Sequence, residues 1–246
     1  SRNAHKAFLY GCALLDITPI WMYPDNFTDI CRCEITADKV EENLLRTKPC
    51  AVYITSPDYL GNQADIPAIA KVCKKYGVPL LVDNAHGAYT AFLKESEHPI
   101  HQGADMCCDS AHKTLPVLTG GAYLHISKHA PKAFLDLAES GMSLFASTSP
   151  SYLILQSLDL CNSYLADGYR ERLAACIARL DKIKSDLAER GICAKETEPL
   201  KLVLTRESCG YGGDELAKIL RDHSIEPEFV DKDANNEPFV VPEYDF

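Results

Sequence analysis

The sequence predicts an α/β protein, a mostly parallel β-sheet sandwiched by helices, with a smaller C-terminal α+β lobe. Three observations carry this. Short β-branched or apolar runs alternate with helix-period segments through residue 126, the pattern of a parallel sheet covered on both faces. Two of these runs, Leu80-Leu81-Val82-Asp83 and Met106 to Ser110, end in polar residues, and the second continues as Ala111-His112-Lys113-Thr114. Adjacent strand ends of this kind aim a carboxylate and an amine into one crevice, where open α/β sheets bind ligands. From Ser151 the pattern changes to a long stretch of 3–4 spacing followed by one isolated strand-like run.

Taken in order, Phe8, Leu9, Cys12 and Leu15 give residues 4–15 helical spacing. Pro19 to Tyr23 is a short apolar run and reads as a strand. Thr36 is placed to cap a helix carrying Val40, Leu44 and Leu45 on one face. Ala51 to Ile54 is β-branched and aromatic and reads as a strand. Asp65 caps a helix with Ile66, Ile69, Ala70 and Cys73 that ends at Gly77. Pro79 to Asp83, Met106 to Ser110 and Ala122 to Ile126 are the next strands. The spacing from Leu165 through Tyr169, Leu173, Leu180 and Leu187 predicts one continuous helix closed by Gly191. Leu202 to Leu204 is then a strand, and Asp214 to Arg221 a helix. This divides the chain into a large domain, 1–164, and a smaller lobe, 165–246. The polar tail from Asp233 differs in composition from what precedes it, and Phe239-Val240-Val241 is too short to assign.

The totals narrow the function classes. A chain of 246 residues, 46% hydrophobic and 24% charged, builds a globular core rather than a disordered segment. A net charge of −10 argues against nucleic-acid and anionic-membrane partners. There is no membrane-length apolar run and no recognisable signal peptide. The 11 cysteines contain no C-x-x-C, and Cys31-Arg32-Cys33 has no partner pair. They read as reduced, small apolar residues of a cytoplasmic protein. His98 and His101 have no third ligand nearby in sequence, so no metal is expected. No G-x-S-x-G, Walker or G-x-G-x-x-G motif occurs, and Gly210-Tyr211-Gly212-Gly213 reads as a turn.

Each residue of the constellation has a plain reading and a chemical one. Lys113 is a surface lysine at a strand end, or the amine that holds an aldehyde cofactor as a Schiff base. Asp83 caps the following turn, or keeps a pyridine nitrogen protonated so that the ring accepts electrons from Cα. That pairing is the arrangement pyridoxal 5'-phosphate (PLP) requires. His86 is a hydrogen-bonded loop histidine, or a neighbour of the ring. Ser110 and His112 flank the lysine and can donate to a phosphate. Gly120-Gly121, before the next strand, leaves room for a bound group. Ser147-Thr148-Ser149-Pro150 is a helix start, and a helix N-terminus is also a ready anion site.

Five segments, in order, resemble fold-type-I PLP enzymes and, more narrowly, the ornithine/lysine/arginine decarboxylase family. They are Arg2-Asn3-Ala4-His5-Lys6, Thr55-Ser56-Pro57-Asp58-Tyr59-Leu60-Gly61, Asp83-Asn84-Ala85, Ser110 to Lys113, and Ser147 to Pro150. The resemblance implies that Lys113 is the Schiff-base lysine, that Asp83 pairs with the pyridine nitrogen and that His5 stacks on the ring. It implies that Ser110 and His112 bind the phosphate, that His86 sits beside the ring, and that Ser147 with Thr148 reaches the phosphate of a neighbouring subunit. The implied activity is decarboxylation of arginine, lysine or ornithine in a homodimer or higher homo-oligomer with shared sites, with Lys113, His112 and Asp83 catalytic. Another fold-type-I reaction, transamination or lyase chemistry, and a non-catalytic relative remain as alternatives. The sequence departs from the family in Asn84, where Glu is common, and at Gly120-Gly121. It also starts inside the family pattern, after the usual phosphate loop, so a fragment with weakened cofactor binding is expected.

Overall fold

In a computed structural model of the chain, residues 1, 3–24, 34–230 and 238–241 are described. Arg2, the Cys31-Arg32-Cys33 segment and most of the tail after Asp233 lie outside the described residues. The chain divides into two compact units, Ser1–Asp58 with Ala64–Arg170, and Tyr59–Gln63 with Glu171–Phe246.

In the first unit, helix α1 (Lys6–Leu14) and helix α2 (Ala37–Arg46) precede strand β1 (Val52–Thr55). Helix α3 (Ile66–Tyr76) leads to β2 (Leu80–Asp83), β3 (Met106–Asp109), the single turn α4 (Ala111–Thr114) and β4 (Tyr123–Ile126). Helix ends follow their local chemistry. Thr36 accepts from the Lys39 N–H at the start of α2, and Asp65 from the Ala68 N–H at the start of α3. Gly77 closes α3 at φ +64°, a left-handed backbone that glycine adopts without Cβ strain.

The sheet order is β1-β2-β3-β4. The first three strands are parallel, with Thr55 beside Asp83 and Asp83 beside Cys108, while β4 runs antiparallel to β3. Strand side chains alternate between faces. Val52, Ile54, Leu80, Val82 and Cys107 therefore share one face, and they form a single core with residues of α2 and α3. Tyr53, Thr55, Leu81 and Asp83 fall on the other face. There Phe8 of α1 stacks on Tyr53, with ring centroids 4.3 Å apart. One sheet thus separates the apolar core from a polar face that ends in Asp83.

Three expectations are corrected. Pro19 to Tyr23 is not a strand: bracketed by Pro19 and Pro24 and, among the described residues, without a neighbouring strand, the run contributes side chains instead. Met22 enters the core, and Trp21 packs edge-on to Phe8. The continuous helix from Leu165 is two helices, α6 (Tyr152–Ala166) and α7 (Tyr169–Ala188). Gly168 takes φ +66° between them, and the 3–4 spacing of Leu165, Tyr169 and Leu173 runs across the break. The start of α6 is Ser151, which makes no side-chain capping bond, so Ser147 and Thr148 precede the helix rather than open it. Helix α5 (Lys132–Phe145) escapes the sequence reading, because none of its side chains is buried and no core-facing stripe announces it.

In the second unit, β5 (Leu202–Thr205) runs into the single turn α8 (Arg206–Cys209), followed by α9 (Gly213–Asp222). Strand β6 (Pro238–Val241) pairs antiparallel with β5. Leu202, Leu204 and Ala217 form its core with Leu187, Ile192 and Leu216 around them. The short segment 59–63 belongs here: the Glu198 N–H donates to the Gly61 carbonyl (2.8 Å) and Lys201 Nζ to the Tyr59 carbonyl (2.7 Å).

Candidate active site

The C-terminal ends of β1, β2 and β3 bring together most of the residues singled out in the sequence. Asp83 is buried at 7% exposure, and both its oxygens are held. The Tyr53 hydroxyl donates to Oδ2 (2.8 Å) and the Ala85 N–H to Oδ1 (3.2 Å). Burial and the Asp83 charge push the Tyr53 phenol far up, so it stays a donor. Tyr53 was not a sequence candidate. The signal was in the register, since odd-numbered positions of β1 share the face of Asp83.

Immediately after β3, Ser110 opens α4 without a side-chain capping bond. His112 is fixed by its backbone neighbour: ring Nδ1 donates to the Gly121 carbonyl (3.0 Å), which also accepts from the His112 N–H (3.3 Å). Nδ1 thus carries a proton, and Nε2 is the ring atom that faces other chemistry. The glycines serve this turn. Gly120 has φ +97°, and a Cβ on Gly121 would come within 2.2 Å of Val117. They were read as room for a bound group; the close approach here is to Val117.

Lys113 is exposed, and its Nζ lies 3.1 Å from Nε2 of the half-buried His86. His5 caps α1, with Nδ1 accepting from the Ala7 N–H, one turn from the Phe8 that stacks on Tyr53. Ser147 and Thr148 are exposed between α5 and α6, where Ser147 Oγ accepts from the Ser149 N–H (3.0 Å). Among the described residues, no contact joins either of them to Asp83 or Lys113.

These groups fit PLP by their donor chemistry. A buried carboxylate stands ready for a pyridine nitrogen, and an exposed amine for an aldehyde. Thr55 Oγ1, beside Asp83 in register, and Thr114 Oγ1, next to Lys113, are buried without a hydrogen-bond partner. Buried hydroxyls of this kind are rare, and a bound polar group is one explanation.

A second cluster lies behind the strand ends. Asp109, 3% exposed, accepts from Asn84 Nδ2 at Oδ1 (2.7 Å) and from His98 Nε2 (3.1 Å) and His125 Nε2 (3.0 Å) at Oδ2. The sequence left His98 without a third ligand; the fold brings Cys107 and Asp109 to it from β3. Those three could each offer an atom to a metal ion. His98 Nδ1, however, accepts from the Ile100 N–H, which leaves the proton on Nε2 and makes that atom a donor to Asp109. The cluster is a hydrogen-bonded carboxylate.

Burial pushes the Asp109 carboxyl up, but hydrogen bonds from His125, His98 and Asn84 outweigh it and hold it at about 2, against an ordinary 3.8. A depressed folded-state value means that the unfolded chain binds the proton more readily. The resulting stability is complete above about pH 5 and is lost as pH falls toward 2. It amounts to about 2 kcal/mol. Urea unfolding at pH 5.5 and pH 2.5 checks this. The wild type is expected to lose that amount relative to Asp109→Asn, and parallel pH dependences would contradict it.

Comparison with known proteins adds the decisive observation. Residues 1–205 match the family model described as "Orn/Lys/Arg decarboxylase, major domain". The chain belongs to this decarboxylase family. Among curated relatives, it is 32% identical to the uncharacterized protein YaaO of Bacillus subtilis, over 98% of this chain and 52% of that protein. It is 29% identical to an arginine decarboxylase of the same organism, over 94% of this chain and 50% of that protein. The chain spans about half the length of the curated relatives it matches. Among solved structures, it resembles Sphingomonas wittichii serine palmitoyltransferase, with TM-score 0.71 and 16% identity, over 98% of this chain and 59% of that one. It also resembles alanine–glyoxylate aminotransferase from Nostoc sp., with TM-score 0.65 and 14% identity, over 85% of this chain and 60% of that one. Orn/Lys/Arg decarboxylases and these structural neighbours are PLP-dependent enzymes, and the fold is that of fold type I. No described helix is long and apolar enough to cross a membrane.

Proposed function

We propose that this chain carries the PLP-binding part of a decarboxylase acting on arginine, lysine or ornithine. The observation that carries the reading is the buried, doubly held Asp83 on the same strand-end edge as Lys113, within a chain matched by the family model over residues 1–205. PLP, when bound, supplies an electron sink for the pair left behind as CO₂ departs.

The chain's own residues do the rest. Lys113 Nζ is the amine that would hold the cofactor through its aldehyde. Asp83, steered by the Tyr53 hydroxyl and the Ala85 N–H, would pair with the ring nitrogen. His5 would stack on the ring, and His86, whose Nε2 contacts Lys113 Nζ, would sit beside it. Ser110 and His112 hold the phosphate, and Ser147 with Thr148 reaches the phosphate bound by a partner copy. Their exposure on the connection between α5 and α6, with no contact to Asp83 or Lys113 among the described residues, supports a role across a subunit boundary in a homodimer. Lys113 and His112 are the two candidates that would return a proton to Cα. Nine described cysteines are free, which supports a reducing, cytoplasmic setting.

The test is product analysis with arginine, lysine and ornithine. Stoichiometric CO₂ and the corresponding amine are expected. Keto acid without CO₂ would assign the chain to transamination, and no PLP absorbance band at all would make it a non-catalytic relative.

A further inference from the structure

We propose that Asp109 is a positioning residue for Asp83, acting through Asn84. The inference rests on the reading of Asp83 as the partner of the cofactor ring.

Asp83 and Asn84 are consecutive at the end of β2. Asp83 meets Tyr53 on the polar face, while Asn84 is 1% exposed and points to Asp109. Asn84 is tied down at every polar end of its backbone and at its amide. Its N–H donates to the Cys108 carbonyl (3.0 Å), its carbonyl accepts from the Gly87 N–H (2.9 Å), and Nδ2 donates to Asp109 Oδ1 (2.7 Å). Its amide oxygen lies against Gly87, where a Cβ would come within 2.1 Å of it. Glycine at 87 is what lets Asn84 occupy this place.

Asp109 is itself immobilised, since its other oxygen accepts from His98 and His125. Carboxylate chemistry is needed at this point. Three N–H donors converge on two oxygens, and an amide would turn its NH₂ toward at least one of them. The link to chemistry is covalent. The turn that Asn84 anchors contains the Ala85 N–H that holds Asp83 Oδ1. If Asn84 is released, both the backbone below Asp83 and one of its two donors are freed. Small displacements of a group that must meet a ligand atom in line carry large penalties.

The experiment compares the full chain with Asp109→Asn, Asn84→Ala and the double variant. PLP is titrated by absorbance, the pH titration of the bound cofactor's absorbance is recorded, and unfolding temperatures are measured in parallel. Each single variant is expected to raise the PLP Kd roughly 10- to 100-fold, the range typical of residues that orient a ligand-bearing group from behind. The double variant is expected to be no worse than the weaker-binding single, because both changes cut one link. The absorbance titration is expected to shift in all three. A lowered unfolding temperature with wild-type Kd and titration would overturn the inference and leave Asp109 with stability alone. Effects that multiply in the double variant would overturn it too. So would stoichiometric zinc at His98, Cys107 and Asp109 that Asp109→Asn removes. If Asp109→Asn does not fold, Asn84→Ala decides by the same criteria. A wild-type chain that binds no PLP would remove the reading of Asp83 itself, an outcome distinct from variants that bind as tightly as the wild type.

Discussion

Replacing Lys113 by alanine is expected to abolish both activity and the borohydride-trapped adduct between PLP and the chain, with the fold unchanged. Reduction fixes the cofactor only where a lysine amine has condensed with its aldehyde. Lys113 is the lysine that ends the Ser-x-His-Lys segment, and its amine is exposed at the strand-end edge beside His86. The loss of rate combines two roles, covalent attachment and proton return. Loss of a positioned proton-transfer group alone costs about 10²- to 10⁴-fold, so the combined loss is expected to exceed that range. Alanine is a strong helix former and the side chain is exposed, so unfolding is expected to stay within about 0.5 kcal/mol of wild type. Mass spectrometry after reduction gives the answer directly. An adduct persisting in Lys113→Ala would place the cofactor on another lysine and end the assignment.

The second large effect is expected from Asp83→Asn. The change keeps size and shape at a 7% exposed site, and an amide oxygen still accepts from Tyr53 or from Ala85. What disappears is the negative charge. A neutral amide cannot hold a pyridine nitrogen protonated, and removing one preorganised electrostatic partner costs roughly 10²- to 10³-fold in kcat. Asp83→Glu keeps the charge at the wrong reach and is expected to lose less. Parallel measurements of kcat and of far-UV circular dichroism separate chemistry from folding. A near-wild-type kcat for Asp83→Asn would reduce Asp83 to a turn residue.

The sequence was most legible where local chemistry and fold agree. Thr36, Asp65 and Gly77 mark helix ends because a cap or a left-handed glycine is a local requirement, whatever packs around it. The strands ending in Asp83 and Asp109 were visible because each is a short apolar run closed by an acid. The break at Gly168 was hidden because the apolar period on its two sides stays in phase. Helix α5 was hidden for the opposite reason, having no buried stripe to detect. Within the candidate site, Asp83, His86 and Lys113 lie at chain positions that motif spacing marks. Tyr53, thirty residues from its partner, and Asp109, joined to His98, His125 and Asn84 from three other segments, depend on strand register. No spacing rule in one dimension encodes that.

The placement of residues 59–63 in the second unit has a consequence for how the molecule is made. The Tyr59 carbonyl finds its Lys201 donor 142 residues downstream. On the ribosome, β1 and its core partners in α2 and α3 are available early, but the Tyr59 and Gly61 carbonyls do not meet their Lys201 and Glu198 donors until most of the chain has been synthesised. The second unit therefore cannot finish folding as an independent C-terminal module. Its last step is the capture of a distant strip of chain, and closing such a long loop makes that step slow compared with helix formation. Until then those two carbonyls lack their folded-state donors, and brief proteolysis of a stalled nascent chain is expected to cut there, while the completed protein resists cleavage at the same peptide bonds.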